Sequence, residues 1–245
     1  MPETWLLALD TSTPLTALAL GRVDRERGAS ELVASATHDD QASPASSLLA
    51  ARIAALLAGA DLAPRDLGAL ACGVGPGTFT GTRVALATAK GLAFALPCPL
   101  FAVPTLAALA GGATTDGPVL ALLDARRAEV YAARFELGPA GPRRAGPDRC
   151  CPIEQVLSDL AETPGLQLIG PGAAVHAAAL VEAGCVHLRA SAGVEAGGLW
   201  RAAALAALED EAADLALVDA VYLRASYAEL GTNTPRRAPH RSPFV

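Results

Sequence analysis

The sequence predicts an α/β protein made of two related halves, and three observations carry that reading. Residues 67–96 run from a short apolar strand, LGALAC, through a loop with Gly73, Gly75, Gly77 and Gly81 into a long apolar helical stretch that Pro97 stops. Residues 6–20, LLALD-TSTPL-TALAL, are echoed about half a chain later by residues 120–135, LALLD-ARRAE-VYAARF. Each is an apolar strand, an aspartate, a short polar turn and a second strand, which suggests a duplicated unit. At 245 residues, with 52% apolar and 18% charged side chains, the chain has ample material for a packed core and is too apolar to be disordered through most of its length.

In chain order, residues 5–10 read as a buried strand ending in Asp10, TSTP as turn chemistry, and 15–21 as the returning strand of a hairpin. Residues 22–30 are charged and glycine-ended, a loop before a third strand at 31–37. Leu48, Leu49, Ile53, Leu56 and Leu57 form one face of a helix over 43–60, with Ser43 as cap and Pro44 in its first turn. After the strand at 67–72 and the glycine loop, Thr80 or Thr82 caps a helix from about Arg83 to Leu96. A short strand at 100–103 and a small helix at 106–110 lead to GGATTDG at 111–117, the best domain boundary. The domains expected are therefore 1–110 and 111–230, with 231–245 a disordered tail. The second half reads as strands at 118–124 and 128–135, an edge hairpin in 138–148, a helix at 153–160 and a strand at 166–169. Then come a second glycine turn at 170–172, a helix at 173–183, a strand at 187–188, a helix at 194–213 and an extended AVYL at 220–223.

A strand, glycine loop and helix in this order can aim free backbone N–H groups at an anion. The loop lacks the Lys-Ser/Thr pair of a Walker A sequence and is not a dinucleotide fingerprint. Asp10 and Asp124 end the two first strands. In actin-type or sugar-kinase-type folds such aspartates hold Mg²⁺ and water around nucleotide phosphates, yet each equally reads as the cap of its own turn. Gly75 and Gly77 would complete a nucleotide site with these two aspartates. Tyr131, Glu129, Arg126 and Arg127 cluster after Asp124, which a solvated hairpin explains equally well.

A catalytic set is missing. The four histidines form neither His-x-x-x-His nor His-Glu-x-x-His, and no Gly-x-Ser-x-Gly elbow occurs. Five cysteines without Cys-x-x-Cys spacing fit reduced thiols and a cytoplasmic location. The run at residues 5–9 follows without a basic lead and cleavage site, so no leader is expected, and no apolar stretch reads as a lone membrane helix. A formal charge of −6 argues against a chain that grips RNA by itself. The helix after the glycine loop carries only Arg83 and Lys90 as charges, on one face. A helix so apolar is either buried between layers of its own domain or covered on one side by another chain.

LLALDTSTPLTALAL, GVGPGTFTGTRVALATAKGLA, LLDARRAEVYAARF and VYLRASY, in this order over roughly residues 4–230, resemble the TsaB (YeaZ) family of bacterial tRNA threonylcarbamoyladenosine (t6A) synthesis. The resemblance implies an α/β fold of the actin-like ATPase (ASKHA) type with two ribonuclease-H-like halves. It implies a non-catalytic scaffold that pairs with TsaD, the subunit that transfers threonylcarbamoyl to tRNA. The ATPase TsaE would bind the pair, and tRNA would be reached only through the complex. No metal or cofactor of the chain's own is implied, and ATP or ADP at the interface with the partner stays open. The pairing surface would be the two helices at 44–58 and 83–96, with Leu48, Arg52, Arg83, Leu86, Ala89, Lys90 and Ala93 at the contact. Ala85, Ala89 and Ala93 would permit close helix approach, and the same surface would make a homodimer when the partner is absent. Family members often carry a histidine where this chain has SPAS at 43–46. The alternatives are an independent nucleotide-binding ATPase of the same fold and a peptidase, the latter opposed by the missing metal histidines and elbow.

Overall fold

The computed structural model describes residues 3–40, 45–209 and 212–223. β1 (Thr4–Asp10), β2 (Leu15–Asp24) and β3 (Ala29–Asp39) form an antiparallel meander. After α1 (Ala45–Gly59), β4 (Leu67–Gly73) pairs parallel to β1. α2 (Phe79–Ala95) then leads to β5 (Leu100–Val103), parallel to β4, and to α3 (Thr105–Ala110). The pattern then repeats. β6 (Gly117–Arg126) and β7 (Glu129–Gly138) are antiparallel, and a broken third strand, β8 (Gly141–Arg144) and β9 (Arg149–Pro152), lies along β7. α4 (Ile153–Glu162), β10 (Gln167–Gly170), α5 (Pro171–Val175), α6 (Ala177–Glu182), β11 (Leu188–Ala190) and α7 (Ala196–Leu208) follow. β12 (Ala212–Ala213) returns to the edge of the first sheet beside β5.

The sheets are ordered β12-β5-β4-β1-β2-β3 and β11-β10-β6-β7-β8. Leaving out β12, both read third, second, first, fourth, fifth strand, with the first three antiparallel and the rest parallel. This is the ribonuclease-H-like unit that the family resemblance implies, present twice, the duplication being what the sequence echo suggests.

Strand alternation sends Leu6 and Ala8 to one face of the first sheet and Leu7 and Leu9 to the other. The Leu6 face packs on α3 and α7, which also cover Val119, Ala121 and Phe135 of the second sheet. The Leu7 face packs on α1 and α2, and the far face of the second sheet on α4, α5 and α6. The result is helices, sheet, helices, sheet, helices. Alanine fills the middle layer: Ala8, Ala17, Ala19, Ala69 and Ala71 meet Ala202, Ala203, Ala204 and Ala207. Alanine buries little area per residue, so the layers gain contact by approaching closely. At the crossing of α3 and α7 a Cβ on Gly111 would lie 2.4 Å from the Gly198 carbonyl oxygen, and only glycine fits.

Several elements differ from expectation. β2 and β3 extend further than the 15–21 and 31–37 runs, because the charged residues at 22–30 pair at the sheet edge. α2 starts a turn early, at Phe79, because Thr78 rather than Thr80 or Thr82 caps it and accepts the Gly81 N–H at 3.2 Å. The helix expected at 173–183 is two short helices parted at His176. The one expected to reach 213 ends at Leu208, where its apolar periodicity ends. Residues 220–223, expected only to be extended, join neither sheet, though the Val221 N–H bonds to Val74 O. The Ser43 cap, Pro44, the 43–46 stretch and the 231–245 tail lie outside the described residues, apart from Ala45 and Ser46 as the first backbone of α1.

Candidate functional site

Asp10 is sealed inside the protein. The β1–β4 register sets Leu9 beside Cys72, so Gly73 comes level with Asp10, and a Cβ on Gly73 would fall 1.8 Å from Asp10 Oδ2. The carboxyl is 0% exposed. Its Oδ1 accepts the Ser12 N–H at 2.9 Å and the Ser12 hydroxyl at 2.8 Å, and Ser12 Oγ also lies 2.8 Å from Thr105 Oγ1. Burial lifts the carboxyl from 3.8 to about 6, against the pull of the Ser12 and Thr105 hydrogen bonds. The Cys72 thiol is pushed well up, first by burial and then by the Asp10 charge.

Because the folded pKa lies above the ordinary value, the proton on Asp10 stabilises the fold at low pH. That contribution is lost as pH rises through about 6. Asp10→Asn, which keeps the shape and removes the charge, is therefore expected to gain stability over the native chain between pH 4 and 6. The gain should level off above pH 7 at up to about 3 kcal/mol, the free energy of a two-unit shift. Urea unfolding at a series of pH values measures it; a difference independent of pH contradicts the buried-proton account.

The glycine loop is filled by the chain itself. A Cβ on Gly77 would lie 2.4 Å from the Ser12 carbonyl oxygen, and one on Gly81 1.8 Å from that of Thr11. The Thr78 N–H donates to Ser12 O at 2.7 Å and the Thr11 hydroxyl to Gly81 O at 2.6 Å. Gly75, at φ +100°, admits the Val221 carbonyl oxygen, which would lie 2.8 Å from a Cβ there, and the Val221 N–H donates to Val74 O at 2.7 Å. Tyr222 then stacks on Phe79 with ring centres 5.8 Å apart and accepts a hydrogen bond from Arg83 Nε at 3.0 Å. The Arg83 guanidinium lies 3.8 Å from the Phe79 ring centre. The glycines thus serve close approach of Thr11, Ser12 and Val221. The N–H groups of Thr78, Gly81 and Thr82 are all taken by the chain's own oxygens.

Asp124 stands elsewhere. It is exposed, and its Oδ1 accepts the Arg126 N–H at 2.8 Å, the turn-capping role. The glycine end of β10 abuts Leu122 rather than Asp124, since a Cβ on Gly170 would meet the Leu122 carbonyl oxygen at 2.3 Å. The two aspartates that look alike in sequence therefore have unlike surroundings. A cavity of about 460 Å³ between the halves is lined by Pro104, Phe135, Arg143, Arg144, Leu205 and Glu209 among others, and by none of Asp10, Gly75, Gly77 or Asp124. Among the described residues no group of three or more His, Cys, Asp and Glu is placed to hold a metal ion. All five cysteines are thiols, and no helix there is long and apolar enough to cross a membrane.

The outer surface of α1 and α2 is the other candidate, and here the expected contacts need correction. Leu86, Ala89 and Ala93, with Ala85, pack against the sheet of their own chain. Ala89 is wholly buried. Arg52 is also turned inward: its guanidinium pairs with Asp40 at 2.5 Å and fastens α1 to the end of β3, while Thr16 donates to the same carboxylate. Arg83 is exposed but committed to Phe79 and Tyr222, and Leu48 and Lys90 are half-buried. What α1 and α2 turn outward includes Ala51, Ala54, Ala55 and Ala58, then Ala87, Gly91 and Phe94, with Arg83 one turn before Ala87. Phe94 is 84% exposed. The small-residue face is present: it lies on the Arg83 side of α2 and excludes Leu86, Ala89 and Ala93, which face the sheet.

Fold and site together define a duplicated, two-sheet protein of the actin-like ATPase class whose first hairpin and glycine loop are closed. A family model described as TsaD, tRNA N6-adenosine threonylcarbamoyltransferase, matches residues 40–182. The Bacillus subtilis tRNA threonylcarbamoyladenosine biosynthesis protein TsaB is 35% identical over 132 residues, 54% of this chain and 55% of that protein. An uncharacterized Mycobacterium tuberculosis protein is 36% identical over 177 residues, 71% of this chain and 74% of its own. The match thus spans just over half the length of the Bacillus relative. The solved structure of YeaZ from Pseudomonas aeruginosa superposes with a TM-score of 0.73 at 31% identity, covering 90% of this chain and all of that one. The chain belongs to the TsaD-related family, in its TsaB (YeaZ) group.

Proposed function

We propose that the chain is a scaffold and activating subunit for t6A formation in tRNA, pairing with a TsaD-type catalytic subunit through the outer face of α1 and α2. The observation that carries this reading is that face: two neighbouring helices with exposed alanines, Gly91 and Phe94, and Arg83, held against Phe79 and Tyr222, as the one exposed charge among the described side chains of the two helices. Small side chains let a second helix pair approach closely, and burying Phe94 contributes about 2 kcal/mol. The partner supplies the chemistry, consistent with a sealed Asp10, a filled glycine loop and an Asp124 occupied with its own turn. On this reading the chain needs no cofactor of its own, and a nucleotide, if the assembly holds one, sits at the interface with the catalytic subunit. A TsaE-type ATPase joins the pair, tRNA is engaged through the complex, and the same face makes a homodimer when the catalytic subunit is absent. The place of action is the cytoplasm. An independent ATPase would need the glycine loop emptied of Thr11, Ser12 and Val221, so it is the weaker reading.

Phe94→Arg tests it. Arginine at the last turn of a helix suits the helix dipole, so the monomer should keep its melting temperature within about 2 °C. Affinity for the catalytic subunit, followed by titration calorimetry, should fall at least 30-fold, the loss of a buried aromatic anchor worth about 2 kcal/mol or more. Undiminished affinity would put the interface on another surface.

A further inference from the structure

The duplication lets the first hairpin turn of each half be compared. In the first half the turn is closed, with Thr11 and Ser12 buried against the glycine loop and Thr13 against Gly193 and Val194. In the second, the turn between β6 and β7 is open: Arg126, Arg127 and Ala128 are all exposed. Their φ angles are 61°, 58° and 61°, three consecutive left-handed residues, none of them glycine. L-residues avoid that region because Cβ crowds the following carbonyl oxygen, and glycine would occupy it without strain. The turn is held by Asp124, whose carboxylate accepts the Arg126 N–H, and by the register that sets Arg126 opposite Glu129. Strain kept at an exposed site, where glycine would relieve it, points to a role for the side chains. Those side chains are two adjacent guanidiniums at an exposed hairpin tip. A guanidinium presents a planar fork of donors that matches phosphate oxygens.

We propose that the β6–β7 tip is a contact for the phosphate backbone of RNA, made by Arg126 and Arg127 once the chain is assembled with its catalytic partner. The proposal rests on the subunit reading above. The chain's charge of −6 repels RNA at long range, so the contact acts when the partner already holds the RNA. Asp124 is turned toward the Arg126 N–H, and Glu129 stands opposite Arg126 in the strand register.

The test uses the complex with the catalytic subunit and a fluorescently labelled, unmodified tRNA, with affinity followed by anisotropy across a salt series. The variant is Arg126→Gly with Arg127→Gly, which removes both charges and relieves the strain. Its melting temperature should hold or rise, while tRNA affinity falls about tenfold at 0.1 M salt. The slope of log K against log salt should flatten by about 1 to 2. Arg126→Lys with Arg127→Lys should retain most of the affinity. Unchanged affinity and slope in the glycine variant overturn the proposal. So does loss of co-elution with the catalytic subunit when tRNA affinity per assembled complex is unchanged, which would place the tip on a protein partner. If the native chain itself fails to co-elute with that subunit, the subunit reading fails instead. The tip proposal rests on that reading and is overturned with it.

Discussion

Ala89→Arg is expected to unfold the chain, whereas Ala87→Arg, two residues away on the same helix, should leave it folded and block pairing. Ala89 is wholly buried between α2 and the first sheet, in a layer with Leu7, Leu9, Leu70 and Cys72. A guanidinium there would be both oversized and without a charge partner. Overpacking costs about 1–3 kcal/mol and an unpaired buried charge about 3–5 kcal/mol. Together these approach the whole stability of an ordinary domain, about 5–15 kcal/mol. Ala87 is exposed on the other side of the helix, where arginine costs under about 0.5 kcal/mol. Urea unfolding followed by circular dichroism separates the two variants. A stable Ala89→Arg chain would mean that α2 turns its other face to the sheet.

Gly81→Ala should destabilise by about 3 kcal/mol or more, although Gly81 lies in the first turn of a helix where alanine is ordinarily favoured. Its Cβ would stand 1.8 Å from the Thr11 carbonyl oxygen, backbone against backbone, with no flexible atom to give way. Relief requires moving the 11–13 turn, which breaks the Thr11–Gly81 hydrogen bond and disturbs Ser12 under Asp10. Gly91→Ala is the matched control. Gly91 lies further along the same helix with nothing within 4 Å of a Cβ. There, alanine should stabilise by about 0.5–1 kcal/mol through helix propensity. Thermal or urea unfolding of both variants measures the pair; two similar values would mean that the loop does not clasp the turn.

Which parts of this were legible in the sequence follows from how local each signal is. The strand, glycine loop and helix at 67–96 and the strand-aspartate-turn-strand echo depend on nearby residues, and both led to the duplicated fold. The outward face of α2 was not legible. Alanines at 85, 87, 89, 93 and 95 look alike along a helix apolar on nearly every side, and only the packed sheet separates Ala89 from Ala87. Asp10 and Asp124 share a local pattern, but Gly73 and Thr105, which close over Asp10, arrive from distant parts of the chain. Arg52 read as a surface residue because Asp40, its partner, precedes the helix rather than lying on it. Residues 221–222 carry no periodicity that announces their path across Val74 and Gly75.

The most direct test of the scaffold claim is reconstitution of adenosine modification from the purified catalytic TsaD-type subunit, the TsaE-type ATPase, tRNA, ATP and threonylcarbamoyl-adenylate, with and without this chain. The same mixtures are run on size exclusion. The scaffold account expects modification to require the chain, the chain to co-elute with the catalytic subunit, and Phe94→Arg to abolish both. Full modification without the chain, or activity that survives Phe94→Arg with no complex formed, would contradict it.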